Sequence, residues 1–439
     1  MKRAFITDVH YRMGLAAVRS LGRRSIDVTA LDYDTVPRKS ILGFYSRYVS
    51  EKRLVPSASE NKSEFISSII NLAAESKRNS NNDTQEKPVL IAVGIDSLKA
   101  VSEHSSLLEP HFDFMVPSLE SMEIADDKQK LVDIAMKTGI PCPQTTTLSV
   151  NETIEQLSER IKYPVVIKYR KGEALKLKPA KRYKIIEDRQ TFIEAYSQMH
   201  SAQEFPLVQE YIRGDGFGVS AVFDKRGEPL EIFCHKRLRE YPVTGGPSCF
   251  CESIWDDKLV DYAIRLLKEL NWRGVAMVEF KGSLDGGAYL MEINPRFWGS
   301  LPLSILSGCD IPYAIYRAAS GELYGECTGS DAGELCGERT GNTACGESTY
   351  RTASAELPGE RTVNAAGTRR CGYKLGTRMR FLFQDLLSLP GYMRMKKNKF
   401  KFLLQFTGQL LDPRIKDGVL ELKDLRPSLA YIRQAVKKL

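Results

Sequence analysis

No run of roughly eighteen apolar residues occurs in this chain, so no helix is expected to cross a bilayer. The first residues, Met1-Lys2-Arg3-Ala4-Phe5, lead straight into a short strand-like run. They lack the long apolar core and small-residue cleavage site of a secretory signal. Histidine is scarce, at five residues, and no two of the nine cysteines have C-x-x-C spacing. Cys249 and Cys251 form only a C-x-C without a second cluster, which argues against structural zinc and, with the odd count, against a disulfide framework. A reducing cytoplasm is the expected compartment. No G-x-G-x-x-G follows the first strand, which disfavours a dinucleotide site there. Large apolar side chains are nearly missing from residues 325–371, where Thr, Gly, Ala, Ser and Glu dominate and GERT occurs at both Gly337 and Gly359. That segment is expected to be a loosely ordered surface excursion, because it buries too little to offset its ordering entropy. Cys327, Cys336 and Cys345 recur within it, but no histidine or fourth ligand accompanies them.

What remains is ordinary globular composition, 42% hydrophobic and 27% charged over 439 residues, enough for two or three domains. The net charge of +8 is uneven: residues 376–439 hold 14 Lys/Arg against 5 Asp/Glu, so the rest is near neutral. The first hundred residues alternate strand and helix patterns. Ala4-Phe5-Ile6-Thr7 precedes Leu15, Ala16, Val18 and Leu21 at helical spacing, and Gly22 stops that helix. Residues 26–31 and 87–94 read as further strands, with Asp32 ending the first of these. This repetition predicts a parallel sheet covered by helices. Asp126 or Asp127 can cap a helix running to Lys137, which Gly139 and Pro141 end. In the centre the pattern changes. Residues 163–168 and 206–212 read as buried strands, and Gly214, Gly216 and Gly218 punctuate a turn into residues 219–224. Residues 225–227 then make a hairpin turn, and residues 275–280 and 288–293 make another hairpin. This is an antiparallel pattern, so at least two domains are expected.

The densest chemical signal is Val278-Glu279-Phe280 followed by Met291-Glu292-Ile293-Asn294-Pro295-Arg296. Strand alternation puts Glu292 and Asn294 on one face, and the hairpin can bring Glu279 opposite them. Two carboxylates and an amide oxygen are hard ligands suited to Mg²⁺, and Arg296 on that face can neutralise a phosphate. Taken alone, the same residues also suit the polar face of a half-solvated sheet.

The order of the other motifs changes that balance. Lys128 begins a helix ending in Gly-Ile-Pro-Cys-Pro, Lys168 closes a buried strand, and Gln209-Glu210-Tyr211-Ile212 lies between two lobes. Asp215, then Lys236, Arg237 and Arg239, then Gly245-Gly246-Pro247-Ser248 follow. Over roughly residues 1–320 this order resembles the ATP-grasp superfamily. It looks most like the carbamoyl-phosphate-synthetase-like and carboxylate–amine ligase branch that includes D-aspartate ligase. The resemblance implies a mixed α/β and α+β architecture. An N-terminal parallel-sheet domain (1–117) would precede a two-lobed ATP-grasp fold with antiparallel sheets (118–205 and 206–320). The insertion (325–371) and a basic helical C-terminal region (376–439) would complete it.

The resemblance also implies ATP with two Mg²⁺ ions, or Mn²⁺ in their place. Lys128 and Lys168 would hold the α- and β-phosphates. Glu210 and Ile212 would offer main-chain groups to the adenine edge, with Gln209 and Tyr211 beside them, and Asp215 would reach the ribose. Lys236, with Arg237 beside it, would face the γ-phosphate. Glu279, Glu292 and Asn294 would hold the metal, and Arg296 would stabilise the transition state. The sequence departs from the family at residues 170–179, where a lysine-rich stretch replaces the usual Gly/Ser-rich lid.

The implied reaction joins a small-molecule carboxylate to an amine through an acyl phosphate. Activation of bicarbonate or another small acid is the alternative, disfavoured by the lack of a second copy of the motif set. A nucleotide-binding scaffold is the third reading. His235 is the only histidine near the constellation, either a base or a structural residue. For the basic C-terminal region, packing of its apolar face on the body is the preferred reading. Peripheral binding to an anionic membrane surface is the alternative, and nucleic acid is disfavoured.

Overall fold

The computed structural model describes residues 2–79, 86–170, 175, 177, 181–243, 245–322 and 372–436. The insertion at 325–371 and most of the lid at 170–179 lie outside the described residues.

The N-terminal alternation of strand and helix folds as a five-stranded sheet, in the order Glu51–Val55, Val28–Tyr33, Ala4–Ile6, Val89–Ile91, Asp113–Phe114. All pairings are parallel. The three inner strands are buried along their whole length, as a parallel sheet covered by helices on both faces requires. The second strand runs to Tyr33 rather than Leu31, so Asp32 lies within it and is buried. Neither edge strand, Glu51–Val55 or Asp113–Phe114, was legible in the sequence. In the first of these, Glu51, Lys52 and Arg53 are the charges that keep an edge from pairing with another chain.

Two antiparallel sheets follow. The smaller has the order Thr145–Thr146, Leu207–Glu210, Val165–Lys168, Tyr183–Ile186. With the helix Arg189–Ala202 it closes a core of its own around Ile167, Phe192, Tyr196 and Val208. The larger has seven strands in the order Gly287–Asn294, Gly274–Ser283, Asp215–Phe223, Pro229–Glu240, Ser248–Ile254, Arg378–Arg380, Lys416–Asp417. Gly216 and Gly218 are therefore inside a strand and not in a turn as the sequence suggested. A Cβ on Gly216 would meet Arg237 Cδ at 2.9 Å, and one on Gly218 would collide with the His235 ring. The bare backbone leaves room for those two side chains of the neighbouring strand.

The C-terminal region is helical, as expected, over Leu382–Met395, Lys399–Leu411 and Leu425–Val436. It also supplies the last two strands of the large sheet, which the sequence did not reveal. It is tied to the N-terminal domain as well. Buried Arg19 donates to Asp424 Oδ2 at 2.9 Å and to the Val419 carbonyl at 2.7 Å, and Arg12 lies 3.7 Å from the centre of the Phe381 ring.

Candidate active site

The hairpin Gly274–Ser283 with Gly287–Asn294 sets Glu279 directly opposite Glu292 and Met277 opposite Asn294. All four therefore share one face with Lys281, by the two-residue repeat of a strand. Asn294 Nδ2 donates to Glu279 Oε1 at 3.0 Å and lies 3.5 Å from Glu292 Oε1. Beyond this point the register jumps from Glu279↔Glu292 to Phe280↔Leu290, leaving Met291 as the extra residue of a bulge. The bulge lets Met291 and Glu292 both line the same cleft.

That cleft, about 520 Å³, lies between the two antiparallel sheets and reaches Ile95 and Lys99 of the N-terminal domain. Its walls are of two kinds. Val166, Ile185, Tyr211 and Ile212 form an apolar slot, while Lys128, Lys168, Arg237, Arg296, Glu279, Glu292 and Asn294 form a charged strip. A more open groove of about 720 Å³, lined by Lys87, Phe114, Leu119 and Arg273, shares none of these residues.

Local structure explains the cationic side. Asp127 caps the helix Lys128–Lys137 by accepting from the amides of Gln129 and Lys130, which fixes Lys128 at its first turn. Lys128 Nζ lies 3.8 Å from Glu292 Oε2. Lys168 ends its strand half-buried. Burial first, then the nearby Lys128 charge, pushes its ammonium down to about 8. Arg237 Nη2 pairs with Glu279 Oε1 at 2.5 Å, and Glu279, Glu240 and Glu292 outweigh burial to hold the guanidinium protonated. The two carboxylates are pushed apart. Burial and the facing Glu292 raise Glu279 in spite of Arg237. Lys128, Lys168, Arg237 and Arg296 hold Glu292 below the usual carboxylate range against its own burial.

Not every residue singled out in the sequence comes to this cleft. Lys236 does not line it: alternation turns it to the opposite face of the sheet from Arg237. There its Nζ pairs with Asp215 Oδ2 at 2.5 Å and lies over the Phe217 ring. Asp215 shares that far face, away from the apolar slot. Gln209 is buried and commits its amide to Thr145 Oγ1 at 2.9 Å. Arg296 lines the cleft and donates to the Phe297 carbonyl at 2.9 Å. His235 is fully buried, with Nε2 3.1 Å from Ser300 Oγ, and burial followed by Arg237 pushes its imidazole down to about 3. So low a value favours the structural reading over a proton acceptor.

Other cleft residues went unnoticed in the sequence. Lys281 lies 5.8 Å from the centre of the Tyr211 ring, and alternation from Glu279 would have placed it on that face. Arg182, Tyr183 and Glu240 also line the cleft, and no motif marks them.

The donor set fits a divalent cation. Two carboxylates, Glu279 largely buried and Glu292 open to the cleft, meet one amide, and their mutual repulsion is the kind a bound Mg²⁺ relieves. Among the described residues no group of three His, Cys, Asp or Glu gathers, so this pair with Asn294 is the ligand set to consider. Nearby, buried Arg237 Nε and Trp298 Nε1 have no hydrogen-bond partner among the described residues. Buried donors left open in this way are expected where a ligand binds.

The family model for ATP-grasp proteins in the biosynthetic pathway with the Ter operon matches residues 202–332. Among solved structures, the chain is similar to biotin carboxylase from Campylobacter jejuni in complex with β,γ-ATP. That match has a TM-score of 0.57 and 18% identity over 73% of this chain and 71% of that one. It is also similar to the biotin carboxylase domain of 2-oxoglutarate carboxylase from Hydrogenobacter thermophilus, in complex with MgADP, ADP and bicarbonate. The TM-score there is 0.54 with 14% identity over 73% and 70%. A third is L-amino acid ligase from Bacillus licheniformis, at 0.50 and 16% over 73% and 75%. The parallel sheet, the two antiparallel lobes and the cleft between them are thus a fold similar to that of these solved structures, and residues 202–332 within it match the ATP-grasp family model.

Proposed function

We propose that the chain is an ATP-dependent ligase that joins a carboxylate to an amine through an acyl phosphate, releasing ADP and phosphate. The observation that supports this best is the opposed Glu279–Glu292 pair with Asn294, ringed by Lys128, Lys168, Arg237 and Arg296 in one cleft. An amine does not displace oxide from a carboxylate, whereas phosphate is a stable leaving group. Phosphoryl transfer to the acid needs in-line positioning and charge neutralisation more than a protein nucleophile. In this reading the apolar slot takes the adenine, against the backbone of Glu210 and Ile212 and the Tyr211 ring. Lys128 and Lys168 hold the inner phosphates. Arg237, and not Lys236, faces the γ-phosphate. Glu279, Glu292 and Asn294 hold Mg²⁺, one or two ions, or Mn²⁺, which supplies positive charge at the transferred phosphate. Arg296 stabilises charge that develops on the acid.

The test is ADP and phosphate release against panels of carboxylates and amines, with hydroxylamine to trap the acyl phosphate as a hydroxamate and mass spectrometry of the product. ADP release that needs bicarbonate alone would favour small-acid activation, as the biotin carboxylase likeness suggests. ATP binding without ADP release across the whole panel would sink the proposal.

Two predictions follow from the geometry. Arg237→Ala is expected to lower kcat/KM roughly 10²-fold or more, the effect of removing a preorganised charge at the reacting centre. Lys236→Ala should change it only a few-fold, since its partner is Asp215 on the other face. Comparable losses in the two variants would return Lys236 to the phosphate site. Lys168 gives a pH signature. Its proton leaves through about pH 8, removing a cation from the phosphate side, so kcat/KM for ATP should fall as pH rises through that value. Lys168→Arg should push the falling limb out of range, and an unmoved limb would assign the titration to another group.

A further inference from the structure

The helix Lys399–Leu411 carries apolar residues on two opposite faces, and its packing in the fold accounts for only one of them. Phe402 and Phe406 face inward: Phe402 stacks on Tyr392 and Phe406 lies over Arg239. Phe400, Leu403, Leu404 and Leu411 follow the i, i+3, i+4, i+11 spacing of a single stripe on the other side. Phe400 is 72% exposed, Leu404 59% and Leu411 76%. A helix buried on one side of a globular domain normally carries polar residues on the other. On the preceding helix, Leu382–Met395, its last residue Met395 is 63% exposed, and Leu386 and Leu387 are exposed as well.

The charge around this stripe has one sign. Between residues 386 and 411 there are five cations, Arg394, Lys396, Lys397, Lys399 and Lys401, and not one acidic residue. All five are exposed. The flanking acids are committed elsewhere, Asp385 to Arg239 and Asp412 to Arg414. We propose that this helix pair is a docking surface for an anionic lipid bilayer. Phe400, Leu404 and Met395 would enter the headgroup–acyl boundary while the five cations sit among the anionic headgroups.

Two other occupants fit the surface less well. A second copy of the chain would bring like-charged clusters together. Single-stranded nucleic acid would want several aromatic platforms, whereas Phe400 is the only aromatic among the exposed residues of residues 386–411, the rest of the apolar stripe being Leu and Met. The surface is also braced against the cleft wall. The Glu240 amide donates to Tyr392 Oη at 2.9 Å, and Glu240 lines the cleft. The proposal does not depend on which reaction the cleft performs.

The test is sedimentation of the full-length protein with phosphatidylcholine vesicles, with and without a minor fraction of phosphatidylserine, at low and high salt. Binding is expected only with phosphatidylserine and should weaken with salt. Lys396→Glu/Lys397→Glu/Lys399→Glu and Phe400→Ser/Leu404→Ser change only exposed side chains. Both should keep the wild-type melting temperature and lose roughly tenfold or more in vesicle affinity. No binding, equal binding to neutral vesicles, or unchanged affinity in either variant would overturn the proposal. So would a dimer in size-exclusion chromatography that Phe400→Ser/Leu404→Ser abolishes, or capture by single-stranded DNA, in the absence of vesicle binding.

Discussion

Glu292→Gln should give a folded protein whose turnover falls by roughly 10²–10³-fold or more. The substitution keeps the shape of the side chain and an oxygen able to accept from Asn294, so the hairpin register that sets it opposite Glu279 has no reason to change. What it removes is the negative charge at the junction of four cations, Lys128, Lys168, Arg237 and Arg296. Two consequences follow. The proposed Mg²⁺ set would lose the carboxylate that stays ionised most easily, since burial and repulsion raise Glu279. Lys128 and Lys168 also lose the anion between them, which lowers the proton affinity of Lys168 further and should draw its pH limb to lower values. Steady-state kinetics across a Mg²⁺ titration reads the first effect and the pH profile reads the second. Full activity in a folded Glu292→Gln protein would remove this pair from the reaction.

How much of this site the sequence revealed depends on the kind of information each residue needs. Glu292 and Asn294 are two apart on one strand, and Glu279 is brought across by a short hairpin. Alternation and one tight turn therefore suffice to bring them together. The same alternation, applied with equal care to residues 234–240, would have put Arg237 and Lys236 on opposite faces. The sequence offered two adjacent cations, and only the register with Gly216 and Gly218 says which of them points at Glu279. Met291 marks the limit of the pattern. A bulge inserts one residue without a sequence mark, and that residue joins the cleft against strict alternation.

The fold shows the same division. The centre of the N-terminal sheet was legible because Ala4–Ile6 and Val89–Ile91 are short, wholly apolar runs, as suits strands buried on both faces, and Val28–Tyr33 is mostly apolar. The strands Arg378–Arg380 and Lys416–Asp417 were not: two or three mostly charged residues carry no period, the first pairs with Ser248–Ile254 more than a hundred residues away, and the second exists only as a partner of the first. For the same reason the C-terminal region read as a basic helical segment packed on the body, although it also completes the large sheet.

The strongest test of that integration is Asp385→Ala, which is expected to cost about 3–5 kcal/mol of stability. Arg239 and Asp385 are 146 positions apart and both buried. Arg239 Nε and Nη2 donate to the two carboxylate oxygens at 2.6 and 2.8 Å, and Nη1 donates to Gln409 Oε1 at 2.6 Å. The guanidinium is held between the rings of Phe250 and Phe406, at 4.3 and 4.7 Å from their centres. One cation thus joins a strand of the large sheet to two C-terminal helices. Next to Lys236 and Arg237 in sequence it looks like another phosphate ligand, but the register shift between Arg237 and Arg239 turns it to the C-terminal helices. Removing Asp385 leaves Arg239 charged and buried with a neutral amide as its remaining polar partner, and that uncompensated charge is the main cost. Replacing both residues, Arg239→Met with Asp385→Leu, should recover most of the loss, because the apolar pair needs no desolvation of charge. Denaturant midpoints of the wild type, the single variant and the double variant decide the matter. A loss below about 1 kcal/mol in Asp385→Ala, the range of exposed ion pairs, would mean that water reaches the guanidinium and that the helices are held by apolar contacts alone.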